Sequence, residues 1–209
     1  YKMSADKGDI SSINKYSLFL FKGEGITENK EEAVKYCKMA ADKGDISGIN
    51  NYAHCLFYGE GIAENEEEAV KYYKMSSYKV NIEGINKYAS CLFKGEGITE
   101  NKEEAVKYYK MSADKGDIEG INKYASCLYD GEGITENKEE AVKYCKIAAD
   151  KGNEEVKTIY LQFLEKYNKY IKEKEELANN YKKESDKGDT TSMIKYAELL
   201  WEGEGVDKN

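Results

Sequence analysis

The sequence predicts an all-α protein, a solenoid of helix-turn-helix repeats, and three markers on one period carry that prediction. Gly-Glu-Gly-Ile begins at Gly23, Gly59, Gly95 and Gly131, and Gly-Glu-Gly-Val at Gly203, in steps of 36, 36, 36 and 72 residues. Asp-Lys-Gly followed by Asp or Asn begins at Asp6, Asp42, Asp114, Asp150 and Asp186, with Tyr78 to Asn81 in the missing place. The same step relates Tyr16, Tyr52, Tyr88, Tyr124, Tyr160 and Tyr196. The absence of proline and the scarcity of β-branched residues argue against an all-β fold. The units fall at about 6–41, 42–77, 78–113, 114–149, 150–185 and 186–209, one repeat solenoid over 1–209 whose fifth unit is degenerate and sixth truncated.

Each unit reads as two helices. Asp9 suits the N-cap of the first, and Gly8 the left-handed turn before it. From Ile10 to Lys22, a helical wheel gathers Ser11, Asn14, Lys15 and Lys22 into one narrow polar arc, with Leu18 as an exception. Ile10, Ile13, Tyr16, Ser17, Phe19, Leu20 and Phe21 cover most of the rest, so this helix needs covering on two sides, which stacking provides. The glycine pair at Gly23 and Gly25 breaks it. Asn29 caps the second helix with Glu32 as capping-box partner. Ala33, Val34, Tyr36, Cys37, Met39, Ala40 and Ala41 form its buried side, and Glu31, Lys35 and Lys38 a charged outer stripe.

These residues resemble the Sel-1-like repeat, a relative of the tetratricopeptide repeat with a longer loop between its helices. In the second unit the motif is carried by Tyr52-Ala53, Leu56, Gly59, Gly61-Ile62, Asn65, Ala69 and Tyr72-Tyr73, with Gly44 between units. Departures are mild: Tyr where Leu is usual, Ala or Ser for a Gly beside it, Leu56 for Tyr, and Asn for Asp at the second N-cap. The resemblance implies a right-handed α/α superhelix used for protein–protein interaction and assembly, and no active site.

Two irregularities stand out. In the fifth unit Tyr167-Asn168-Lys169-Tyr170 replace the glycine pair, so either the turn survives with other residues or the two helices fuse; the preserved spacing favours a retained turn. The chain opens and closes inside a unit, which leads us to expect an excerpt of a longer protein, with end-to-end self-association of its exposed ends.

Candidate chemistry is sparse. Of the five cysteines, Cys55, Cys91 and Cys127 share a repeat position with Phe19, Phe163 and Leu199, and Cys37 and Cys145 share one with Tyr73 and Tyr109. Positions that accept Phe, Leu and Tyr are core positions, and equivalent residues of stacked units lie roughly 10 Å apart, too far for a disulfide. Buried reduced thiols are expected, favouring a cytoplasmic setting. The single histidine, His54, has no second histidine for zinc and no partner for a triad. The Gly-Glu-Gly strings lack the third glycine of a dinucleotide fingerprint. No catalytic residue, cofactor or metal site is expected. A net charge of -8 with mixed signs disfavours nucleic acid, and no apolar run is long enough for membrane insertion.

What remains is the polar arc of the first helices, which in stacked helix pairs line the concave side. One rung repeats Asn14, Asn50, Asn86 and Asn122, beside Lys15, Lys87 and Lys123, while His54, Ser90 and Ser126 stand in the place of Leu18. Asn offers a donor and an acceptor, which suits an extended peptide backbone; related tetratricopeptide grooves use Asn and Lys on the equivalent helix for peptide termini. The alternatives for the Asn series are simple solvation or pairing with the backbone of a neighbouring unit. The expected function is a non-catalytic scaffold or adaptor binding a protein or peptide along this groove. The competing expectation is a regulatory or structural repeat module of a larger signalling enzyme whose catalytic domain lies outside the segment.

Overall fold

The computed structural model describes residues 1–152 and 154–202, and every regular element among them is a helix. The helices form two compact units, one over Tyr1–Glu136 and one beginning at Asn137.

The first unit holds α1 (Lys2–Asp6), α2 (Ile10–Lys22), α3 (Lys30–Asp42), α4 (Ile46–Tyr58), α5 (Glu66–Tyr78), α6 (Ile82–Lys94), α7 (Lys102–Asp114) and α8 (Ile118–Asp130). Helices adjacent in sequence pack on one another, as repeat stacking requires. Asp9, Asp45, Asn81 and Asp117 cap the first helices, each accepting from the backbone N–H three residues on. Asn29, Asn65 and Asn101 cap the second helices in the same way. The capping box takes an altered form. The Asn29 backbone N–H donates to the Leu20 carbonyl at 2.9 Å, so Glu32 accepts from the Asn29 side-chain amide instead, and Asn65 repeats both contacts through Leu56 and Glu68. Each cap thereby ties the second helix back onto the first.

The interior of this unit repeats with the sequence. Ile13, Ile49, Ile85 and Ile121 are buried, as are Leu20, Leu56, Leu92 and Leu128. Within each repeat a tyrosine of the first helix meets one of the second edge-to-face: Tyr16–Tyr36, Tyr52–Tyr72 and Tyr88–Tyr108 all have ring centroids 4.9 Å apart. Lys38, Lys74 and Lys110 lie over Tyr52, Tyr88 and Tyr124 of the following repeat. Glycine permits the closest approaches between repeats. A Cβ on Gly48, Gly84 or Gly120 would fall 2.3 to 2.6 Å from Ala40, Ser76 or Ser112 of the preceding helix.

The second unit holds α9 (Lys138–Ala149), α10 (Glu154–Ser185) and α11 (Thr190–Glu202), with α10 packed on both others. Here the structure corrects the sequence reading. No turn is retained at Tyr167-Asn168-Lys169-Tyr170; α10 is one continuous helix of 32 residues, about 48 Å long at 1.5 Å per residue. It contains neither glycine nor proline, so nothing offers the left-handed conformation that ends the other first helices. Val156, Phe163 and Ala178 are its buried residues.

Candidate functional site

All ten candidate residues of the polar arc lie on α2, α4, α6 and α8, inside the first unit. The Asn series is not the open ladder the wheel suggested. Asn14 Nδ2 donates to Asp45 Oδ2 at 2.9 Å. Asn50 Nδ2 donates to Asn81 Oδ1 at 2.9 Å and Glu83 Oε2 at 2.8 Å, and Asn86 Nδ2 to Asp117 Oδ2 at 2.7 Å. Each acceptor is, or neighbours, the N-cap of the next repeat, so the donors are spent between repeats. Asn50 and Asn86 are only 3% and 5% exposed, and their Oδ1 atoms are buried without a partner. The physical reason is local: a first-helix residue beside the next cap meets a carboxylate or amide oxygen that already accepts one backbone N–H and has a lone pair left. Asn122 is exposed.

The other candidates stand at the surface. Lys15, Lys123 and His54 are exposed, and Lys87, Ser90 and Ser126 half-buried. Lys15 Nζ lies over the Tyr1 ring and His54 packs against Tyr58 at 4.5 Å between ring centroids. His54 also lines a surface pocket of about 240 Å³ between α2 and α4, with Leu18, Lys22, Lys30, Asn51 and Cys55. On α5 the Tyr73 hydroxyl is buried without a partner. One repeat on, Tyr109 has a hydrogen-bonding contact with Ser90, the residue equivalent to His54.

All five cysteines are buried free thiols. Burial pushes Cys91 and Cys145 up to about 12 and Cys127 to about 11, so these three stay protonated at neutral pH. Sequence reasoning compared equivalent positions only. It missed that Cys37 on α3 and Cys55 on α4, which are not equivalent, act on each other's titration, Cys37 being lowered and Cys55 raised. The readable signal was an 18-residue offset, half the repeat. Among the described residues no group of three or more His, Cys, Asp or Glu side chains is placed to hold a metal ion, and no helix is long and apolar enough to cross a membrane.

Paired helices stacked by repeated caps, with a polar face on the first helices, define a helical repeat protein of the solenoid class. The Sel1 repeat model matches residues 10–45, 46–80, 82–117, 118–153 and 190–209, and the chain belongs to the Sel1 repeat family. Such proteins are generally protein-interaction scaffolds without catalytic activity. Among solved structures, a protective antigen present in uropathogenic Escherichia coli strains and displaying an SLR fold is similar at 26% identity and a TM-score of 0.73, covering 100% of this chain and 45% of that one. A Sel1 repeat protein from Oxalobacter formigenes shares the fold at 17% identity and a TM-score of 0.67, covering 78% of this chain and 46% of that one. The chain thus spans less than half the length of either. Comparison with curated proteins finds no match.

Proposed function

We propose that this chain is a non-catalytic scaffold that binds a partner protein or peptide along the face of α2, α4, α6 and α8. One observation carries the reading. The residues that build the frame recur from repeat to repeat, while the exposed and half-buried residues of this face change: Lys15, Asn51, Lys87 and Lys123 at one position, Leu18, His54, Ser90 and Ser126 at another. A constant frame with a varying polar face gives polyvalent recognition, in which small contacts add over several repeats. Half-buried Asn14 and buried Asn50 and Asn86 bond to the next repeat, hold the repeats in register and so pre-organise that face.

Capture of interacting proteins from the source cell tests the reading. A charge-reversed first-helix variant, Lys15→Glu/Lys87→Glu/Lys123→Glu, is compared with a second-helix control, Lys35→Glu/Lys71→Glu/Lys107→Glu. Proteins captured by wild type and control but lost from the first-helix variant are the expected result. Loss from the control alone would move binding to the second helices and overturn the reading.

A further inference from the structure

Half a repeat separates two positions that meet across each junction of the first unit. Tyr1 and Phe19 hold them first, with ring centroids 5.6 Å apart. At the later junctions the sequence places Tyr73 with Cys91 and Tyr109 with Cys127 at the same two positions. In the second unit Cys145 and Phe163 occupy the same two positions of the sequence. Each of these pairs includes at least one aromatic ring. Only Cys37 and Cys55 put two small side chains there, and both are buried, at 1% and 2% exposure. The 240 Å³ pocket with Cys55 in its wall opens beside this ring-less junction.

From this geometry we infer that Cys37 and Cys55 form an oxidant-sensitive dithiol that closes to a disulfide between adjoining repeats, with a small hydroperoxide admitted by the pocket as the oxidant. The pair lies on two packed helices, one repeat on from the positions where the Tyr1 and Phe19 rings meet. Ser17, whose place is taken by Ala53, Ala89 and Ala125 in later repeats, is buried with its hydroxyl donating to the Asn14 carbonyl at 2.9 Å, and it too lowers the Cys37 thiol. The Cys55 thiol directed at Cys37 favours the Cys37 thiolate and holds Cys55 protonated. Cys91, Cys127 and Cys145 have an aromatic ring in the partner position and no thiol to resolve them.

The chemistry balances with one hydrogen peroxide. A sulfur of the pair attacks one peroxide oxygen; the O–O bond breaks, hydroxide leaves and takes up the thiol proton as water, and a sulfenic acid remains. The second sulfur attacks that sulfenic sulfur. The S–S bond forms, the S–O bond breaks, and the departing oxygen leaves as a second water with the second thiol proton. Two thiols are oxidised and one peroxide is reduced to two waters.

The folded chain is treated with hydrogen peroxide, alkylated in denaturant and digested without reduction. The expected product is one disulfide-linked peptide pair containing Cys37 and Cys55, lighter by two hydrogens than its parts, with alkylatable thiols falling from five to three. Cys37→Tyr, which restores the ring found at Tyr73 and Tyr109, is expected to fold by circular dichroism and to give no cross-link. Five alkylatable thiols after treatment, a disulfide through Cys91, Cys127 or Cys145, or a Cys55 sulfinic acid beside an intact Cys37 thiol would each overturn the inference.

Discussion

Asn86 of one repeat donates its side-chain amide to Asp117, the helix cap of the next, at 2.7 Å. Asp117 also accepts the Gly120 backbone N–H at 2.8 Å and the Ser112 hydroxyl at 3.0 Å. One carboxylate therefore starts a helix, holds the end of the preceding helix, and receives the repeat before. Removing the amide leaves a half-buried carboxylate short of one charge-assisted hydrogen bond. Asn86→Ala is expected to lower stability by about 2 kcal/mol, read as a shift in the urea midpoint. Asn86→Asp, which sets a like charge against Asp117 and Glu119, is expected to cost more than Asn86→Ala.

The orphaned Tyr73 hydroxyl makes a stabilising substitution available. Giving the second repeat the serine found at Ser90 and Ser126 supplies the contact that Tyr109 has and Tyr73 lacks. His54→Ser is expected to raise stability by about 1 kcal/mol, and Tyr73→Phe to be neutral or mildly stabilising. Thermal melts of the two single variants check both.

The second glycine of each inter-helix loop separates two effects. Gly97 has φ 65° and a Cβ there would lie 2.5 Å from the Glu66 carbonyl of the preceding repeat, whereas Gly25 has φ 74° and open space around it. Gly25→Ala is expected to cost about 1 kcal/mol from the left-handed backbone alone, and Gly97→Ala at least about 2 kcal/mol because the neighbour must also move. Equal midpoints in urea would contradict the packing half of this account.

The Asp9 carboxyl is held below the usual aspartate range by its hydrogen bonds from Ser12. A lowered folded-state value means the cap contributes stability above the unfolded value, about pH 4, and loses it as pH falls through the lowered one. Asn81 caps α6 with no titrating group. Hydrogen-exchange protection at the start of α2 is therefore expected to fall with acid before that of α6.

A continuous α10 has a direct mutational consequence. Asn168→Pro removes a mid-helix hydrogen bond and is expected to cost about 3 kcal/mol and visible ellipticity at 222 nm. A turn at that position would accept the proline with little change.

The repeat, its caps and its core positions were readable because period, glycine pairs and Asn or Asp caps are local signals that recur. Helix-packing glycines were less so: nothing in Gly84 taken alone distinguishes close approach to Ser76 from a weak helix position. The continuity of α10 is not legible in the sequence, because preserved length says where a unit ends and not whether the chain bends inside it. The sequence leaves Asn50 open between groove contact and pairing with its neighbour, because a wheel gives direction within one helix and not what the next repeat places there. Cys37 and Cys55 were overlooked because comparing equivalent positions cannot see contacts between non-equivalent ones.

The most direct test of binding along the first helices is photo-cross-linking from a single site, with a photoreactive residue in place of Lys87 on α6 or, separately, Lys107 on α7. The account predicts a partner adduct from position 87 that is absent or far weaker from position 107. An adduct from position 107 and none from position 87 would contradict it.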